Sequence, residues 1–328
     1  MPQPVVAVTQ VYPGVLDVPG ARVVVGPERG FQSAAEIRAF VAQARPDVLV
    51  SMYFNRVDRE LLDAAGPQVR GVVNFAVGFD NIDLGLCAER GIAVCNTPDA
   101  VTEGTADIAF LLMLAAARRL SRADRYARSP EYPARGFLGM SEMLGVHLSG
   151  QTLLIVGAGR IGYATALRGL GWGMKTLYVA RSRHLDFEFA PLNAERVELD
   201  EGLRRADFVS IHCPLTPETR HLINRERLAL MKKSAVLVNT ARGPVVEESA
   251  LVEALKAQRI FGAGLDVYEF EPRPGADLIA LDNVVLTPHI GSGTFHHRAL
   301  MTSIVASNVR AILAGERPPN TVPTRPGR

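Results

Sequence analysis

The chain has 328 residues, more than the commonest single-domain size of about 100 to 150, so two domains are expected. Hydrophobic residues make up 48% and charged residues 21%, a balance that supports packed cores and excludes long disordered stretches. Lys plus Arg (36) nearly cancel Asp plus Glu (34), which leaves no global field to draw the protein to nucleic acid or an anionic membrane and points to a small ligand.

The opening MPQPVVAV reads as a strand with no charged leader and no cleavage pattern, so a secretory signal is not expected. Short runs rich in Val and Ile follow between helical patterns: VVAV (5–8), RVVV (22–25), DVLV (47–50), VRGVVNF (69–75) and IAVCN (92–96). Alternation of this kind predicts a parallel sheet covered by helices. Cys87, Cys95 and Cys213 are odd in number and lack metal-ligand spacing, which predicts free thiols, no metal and a reducing, cytoplasmic setting. A long apolar helix is expected from about 101 to 119; its wholly apolar run, 108–117, is about half of the roughly 20 residues a membrane span needs. The stretch after it, with Pro130, Pro133 and Gly136, reads as polar. The arginines at 118, 119, 122, 125 and 128 read as a solvated helix end and not as a nucleic-acid surface.

A second series of six strands begins at TLLIVG (152–157) and continues with KTLYVA (175–180), DFVSIHC (207–213), AVLVNTA (235–241), GAGLDV (262–267) and NVVLTPH (283–289). This is the pattern of a doubly wound sheet. A last helix, about 294–314, ends at Gly315 and Pro318. No strand follows it, so it is expected to return to the first domain. The predicted fold is therefore α/β with two doubly wound parallel-sheet domains. A Rossmann dinucleotide-binding domain (99–289) is inserted in a flavodoxin-like substrate domain (1–98 and 290–328), and the last ten residues read as a loose tail.

Gly157, Ala158, Gly159, Arg160, Ile161 and Gly162 follow a strand and open a helix, the context in which a GxGxxG run binds a dinucleotide. Gly157 permits the tight turn, Gly159 lets the backbone approach the pyrophosphate, and Gly162 lets helix and strand pack closely. Ligands of such sheets bind beyond the carboxyl ends of the strands. There the chain carries His212-Cys213-Pro214, Thr240-Ala241-Arg242, Asp266 with Glu271 five residues on, and Pro288-His289.

An Arg, two carboxylates and a His in these positions suit 2-oxo acid chemistry. Arg242 can clamp a carboxylate bidentately and polarise the neighbouring carbonyl. His289 can donate a proton in one direction and take it back in the other, with Glu271 favouring the protonated ring. Asp266 would support that pair or orient Arg242. Singly, an Arg after a strand or a His in a turn is more often structural; the joint placement argues against coincidence. His212 reads as structural or cofactor-lining, and the adjacent His296 and His297 cannot share one helical face for a metal.

These residues resemble the D-isomer-specific 2-hydroxyacid dehydrogenase family over most of the chain. The resemblance is carried by VGFDNID (77–83), TPDAVTEGTADIAF (97–110), GAGRIG (157–162), HCPLTPET (212–219), NTARGPVV (239–246), GLDVYEFEP (264–272) and TPHIGS (287–292). It implies catalysis by Arg242, Glu271 and His289, and a substrate carboxylate bound by Arg242 with the N–H groups of Val77 and Gly78. To the cofactor it assigns Thr105, the run from Gly157 to Gly162, Cys213, Pro214, Thr219, Thr240, Ala241, Asp266, His289 and Gly291. Ala158 stands where Leu is frequent in the family, and Glu271 argues against the similar formate dehydrogenases, which carry Gln there. It also implies a homodimer through the nucleotide domain.

The expected reaction is reduction of a small 2-oxo acid, with glyoxylate or hydroxypyruvate favoured and Met52, Tyr53 and Phe54 as pocket walls. The alternatives are a phosphite or formate oxidiser of the same fold, or a non-enzymatic dinucleotide-sensing corepressor. NADP is the expected cofactor, preferred to NAD. An NAD-selective fold places an acid about 20 residues beyond the glycines, whereas no acid occurs here between Gly157 and Asp186. The strand runs instead into Arg181, Ser182 and Arg183, two guanidinium groups and a hydroxyl that suit a 2′-phosphate.

Overall fold

The computed structural model describes residues 2–323. They fall into two compact units, one running up to Val101 and resuming at Ser292, the other Thr102–Gly291.

Among the described residues the first unit holds a five-stranded parallel sheet of β1 (Val5–Val8), β2 (Arg22–Val25), β3 (Val48–Met52), β4 (Gly71–Phe75) and β5 (Ala93–Cys95), in the order β2-β1-β3-β4-β5. That is the flavodoxin-like order. β3 and β4 are buried at every residue, as continuous apolar runs covered on both faces require. The helix Phe295–Ala314 packs so closely on β4 that a Cβ on Gly71 would lie 2.5 Å from Ile312 Cδ1. Its start is set by Thr294, whose hydroxyl accepts the His297 N–H, and its end by Gly315 at φ 74°.

The second unit holds β6 (Thr152–Val156), β7 (Lys175–Val179), β8 (Glu195–Arg196), β9 (Phe208–Ile211), β10 (Val236–Asn239), β11 (Gly262–Leu265) and β12 (Val284–Leu286). They form one parallel sheet in the order β8-β7-β6-β9-β10-β11-β12, the Rossmann order with one strand added. The series therefore has seven strands and not six. The extra one, β8, is two charged, exposed residues beside Leu177 and Tyr178, too short and too polar to show an apolar run. The helix Thr102–Ala117 covers β11, where a Cβ on Gly264 would lie 2.7 Å from Leu112 Cβ.

The expected helix 101–119 stops at Ala117, and the polar stretch after it is itself largely helical: Arg119, at φ 52°, starts a second helix, Leu120–Arg128, followed by Glu131–Arg135. Helix Leu120–Arg128 buries no side chain and is held by polar contacts, Arg128 with Asp124 within it and Arg125 with Asp282 outside. Arg119 lies 4.4 Å over the Phe261 ring. The tail is not loose through 322, because Val322 is buried and donates its N–H to Val94 O at 2.8 Å, and Asn320 N–H donates to Asn308 Oδ1 at 3.0 Å. Residues 324–328 lie outside the described residues. Among the described residues no helix is long and apolar enough to cross a membrane, and the three cysteines are free thiols.

Candidate active site

The glycine turn after β6 separates three different demands on a missing Cβ. Gly157 has φ 105°, and a Cβ there would lie 2.6 Å from Cys213 N. A Cβ on Gly162 would lie 2.3 Å from Gly157 O and 2.9 Å from Ile155 Cγ2, so the helix Arg160–Gly171 can meet its strand only through glycine. Gly159 meets no protein atom within 4 Å and its φ is an ordinary −86°, so nothing in the fold demands glycine there. The space a side chain would take lies open at a helix N-terminus, as a phosphate cradle needs. Thr240 Oγ1, buried beside Ala241 at the end of β10, has no hydrogen-bond partner among the described residues. The residues present thus fit a dinucleotide.

Arg242 leads out of β10 into the short turn Gly243–Val245. Buried Asn239 shapes this exit, its Oδ1 accepting the Ala241 N–H at 3.0 Å and its Nδ2 donating to Arg242 O at 2.9 Å. Arg242 Nη1 donates to Ala241 O at 2.8 Å. Gly243 lies against the next loop, where a Cβ would fall 1.8 Å from Tyr268 O.

Glu271 sits in that loop. Its Oε1 accepts the Tyr268 N–H at 3.2 Å, and its Oε2 is 3.2 Å from His289 Nδ1. Both side chains are partly exposed, at 30% and 22%. His289 has φ 55°, a left-handed backbone held from below by Asp266. Asp266 is buried and accepts from Thr287 Oγ1 at 2.6 Å, Ile290 N at 2.8 Å and Gly291 N at 2.8 Å. Burial raises its pKa above the usual aspartate range, against these donors and the neighbouring His289, which lower it. Of the two supporting roles expected for Asp266, these bonds serve the His289 side. Thr105 lies close by, since a Cβ on Gly291 would be 3.1 Å from Thr105 Oγ1.

Cys213 and Pro214 follow β9, and burial pushes the Cys213 thiol up to about 11. The Thr219 hydroxyl is engaged inside its own loop, donating to Pro214 O at 2.6 Å and accepting the Thr216 N–H at 2.7 Å. His212 Nε2 is 2.8 Å from Ser210 Oγ, and burial lowers its pKa. Arg181 and Ser182 are exposed after β7, with the carbonyls of Ala180 and Arg181 held by Arg196. Arg183, also exposed, is paired with Glu188, its Nε 2.9 Å from Oε2, and Tyr178 OH donates to the same carboxylate at 2.6 Å.

In the first unit, Val77 and Gly78 follow β4, their carbonyls bonded by the Asn96 and Asn74 side chains at 2.8 and 2.7 Å. Asn74 also meets Ser51 and Asn81, and Asn81 donates to Met52 O and Asn55 O. This network is not legible in sequence, because single uncharged residues inside apolar runs carry no motif. Of the three expected pocket walls, Met52 is buried within β3, Tyr53 is partly buried and Phe54 is exposed.

The model of the D-isomer specific 2-hydroxyacid dehydrogenase NAD-binding domain matches residues 110–291. The glyoxylate reductase of Pyrococcus horikoshii is 50% identical over 277 residues, 84% of this chain and 82% of that protein. The chain belongs to this family. Among solved structures, a Thermus thermophilus protein matches with a TM-score of 0.88 and 42% identity, over 97% of this chain and 99% of that one. An NADPH-dependent glyoxylate/hydroxypyruvate reductase from Sinorhizobium meliloti, solved with NADP and malonate, matches with a TM-score of 0.82 and 28% identity over 98% of each chain. Among the described residues no cluster of His, Cys, Asp and Glu is placed to hold a metal ion.

Proposed function

We propose that this dehydrogenase reduces glyoxylate or hydroxypyruvate to the D-2-hydroxy acid, with NADPH preferred to NADH. The observation that carries the reading is the His289–Glu271 pair, with Glu271 fixed by the Tyr268 N–H and its loop lying against the Arg242 turn. Arg242, with the N–H groups of Val77 and Gly78, holds the substrate carboxylate, and its charge polarises the adjacent carbonyl. When bound, the dinucleotide supplies a hydride to the carbonyl carbon. Protonated His289 donates Nδ1–H to Glu271, which fixes the ring and leaves Nε2 to give its proton to the developing alkoxide. Oxidation of the hydroxy acid returns that proton to the same nitrogen.

The second unit is the nucleotide-binding domain and the first the substrate domain. Gly157, Ala158, Gly159, Arg160, Ile161 and Gly162 hold the pyrophosphate, and Thr105, Thr240, Ala241, Asp266 and Gly291 line the nicotinamide end. For the 2′-phosphate the reading rests on Arg181, Ser182 and Arg183, of which Arg183 would exchange its surface pair with Glu188 for the phosphate. A homodimer in the cytoplasm is supported by the exposed apolar residues Phe137, Met140 and Leu144 and by the free thiols. Sedimentation at a single-chain mass would contradict the dimer.

Following the absorbance of reduced cofactor tests the reading. Glyoxylate or hydroxypyruvate should be turned over with NADPH more efficiently than with NADH, and faster than pyruvate. Reduction of NADP by phosphite or formate would replace the assignment by an oxidiser of that anion. Equal or better efficiency with NADH would overturn the cofactor preference alone.

A further inference from the structure

Three titratable side chains of the second unit, Glu248, Glu269 and His221, take no part in the reaction above and yet are bonded to the loops that carry it. The Glu248 carboxylate is buried at the start of the helix Glu248–Lys256. Its Oε2 accepts the N–H of Glu269 at 3.1 Å and its Oε1 the N–H of Gly275 at 3.0 Å. One carboxylate therefore pins both ends of segment 269–275, and Glu271 lies between the pins. Inside the segment, Arg273 N–H bonds Phe270 O, a local turn that does not tie it to the sheet.

Glu269 returns the contact. Its side chain is only 7% exposed, and its Oε2 accepts the N–H of Glu248 at 3.1 Å, one of the first-turn donors that a helix cannot satisfy internally. Its Oε1 is 2.6 Å from His221 Nε2, with Arg220 Nη2 at 3.5 Å. His221 has φ 51° and donates its own N–H to Pro244 O at 2.8 Å, two residues beyond Arg242. It thus bridges the Arg242 turn and the Glu271 loop. Burying two carboxylates costs several kcal/mol even when each finds donors, and apolar packing would hold a turn with less penalty. What the carboxylates add is directional bonds to named N–H groups.

We infer that Glu248, Glu269 and His221 form a positioning clasp that sets the Glu271 loop against the Arg242 turn, an inference that rests on the roles proposed above for Glu271 and Arg242. A displacement of a catalytic group by about 1 Å costs on the order of 100-fold in rate. Glu248→Gln keeps shape but turns one acceptor into a donor facing an N–H. His221→Asn tolerates the left-handed backbone and keeps the bond to Pro244, but is too short for Glu269.

On the full chain, Glu248→Gln should lower kcat for glyoxylate by about tenfold or more and His221→Asn by roughly threefold or more, with KM for NADPH within about twofold of the parent. Hydrogen exchange at the Glu269 and Gly275 amides should quicken by about tenfold in Glu248→Gln while β11 stays protected. Should Glu248→Gln fail to fold, His221→Asn with its kcat and KM decides. An active parent with unchanged kcat in the variants, or unchanged exchange at those two amides, overturns the clasp alone. A parent inactive on every 2-oxo acid overturns the functional reading and, with it, the clasp.

Discussion

His289 and Arg242 illustrate how single residues become chemical groups only through their neighbours. His289 is held at φ 55° by a turn whose N–H groups end on buried Asp266, and its ring nitrogen faces Glu271. Arg242 is aimed by the Asn239 amide, which bonds on both sides of Ala241. Arg242→Lys keeps the charge but loses the planar fork. Loss of one charged hydrogen bond of about 1.5 to 3 kcal/mol should raise KM for glyoxylate by about 10- to 100-fold and lower kcat as well. Parental kinetics in the Lys variant would remove the bidentate clamp from the account.

At the scale of elements, the glycine turn makes a prediction that separates fold from function. Gly162→Ala puts a Cβ against Gly157 O and should destabilise the chain by about 1 to 3 kcal/mol, visible as a lower Tm. Gly159→Ala meets no protein atom, so its Tm should stay at the parental value while affinity for NADPH falls by about tenfold or more, equivalent to about 1.4 kcal/mol. Parental NADPH affinity in Gly159→Ala would show that the open space is not the phosphate cradle. The elements also explain what the sequence reveals. Runs such as VLVSM and GVVNF announce buried strands because both faces are apolar, and GAGRIG announces its turn because backbone crowding admits little else. β8 is invisible because two exposed charged residues make no pattern. Helix Leu120–Arg128 buries no residue, so no apolar run sets its bounds in the sequence. The Arg183–Glu188 pair is not legible in sequence, because it depends on the short helix that brings Glu188 within reach. Asn239, Glu248 and His221 each look ordinary in sequence, since their roles come from bonds across the fold.

Across the whole molecule, stability should depend on pH through His212. Burial lowers its folded pKa, so the unfolded chain binds the proton first as pH falls. The stability it contributes is present above its unfolded value of about 6.5 and is lost progressively below that, as the pH falls toward the folded value. Between pH 7 and pH 5 the urea midpoint of the parent should fall more than that of His212→Gln; parallel declines would contradict the burial of a neutral ring. The central claim is that one half-buried imidazole, fixed by Glu271, delivers the proton to a 2-oxo acid. The most direct test is kcat for NADPH-dependent glyoxylate reduction by His289→Gln, measured together with its Kd for NADPH. The expected result is a fall in kcat of about 100-fold or more with Kd unchanged, the scale of general acid catalysis; a variant that keeps parental turnover would contradict the account.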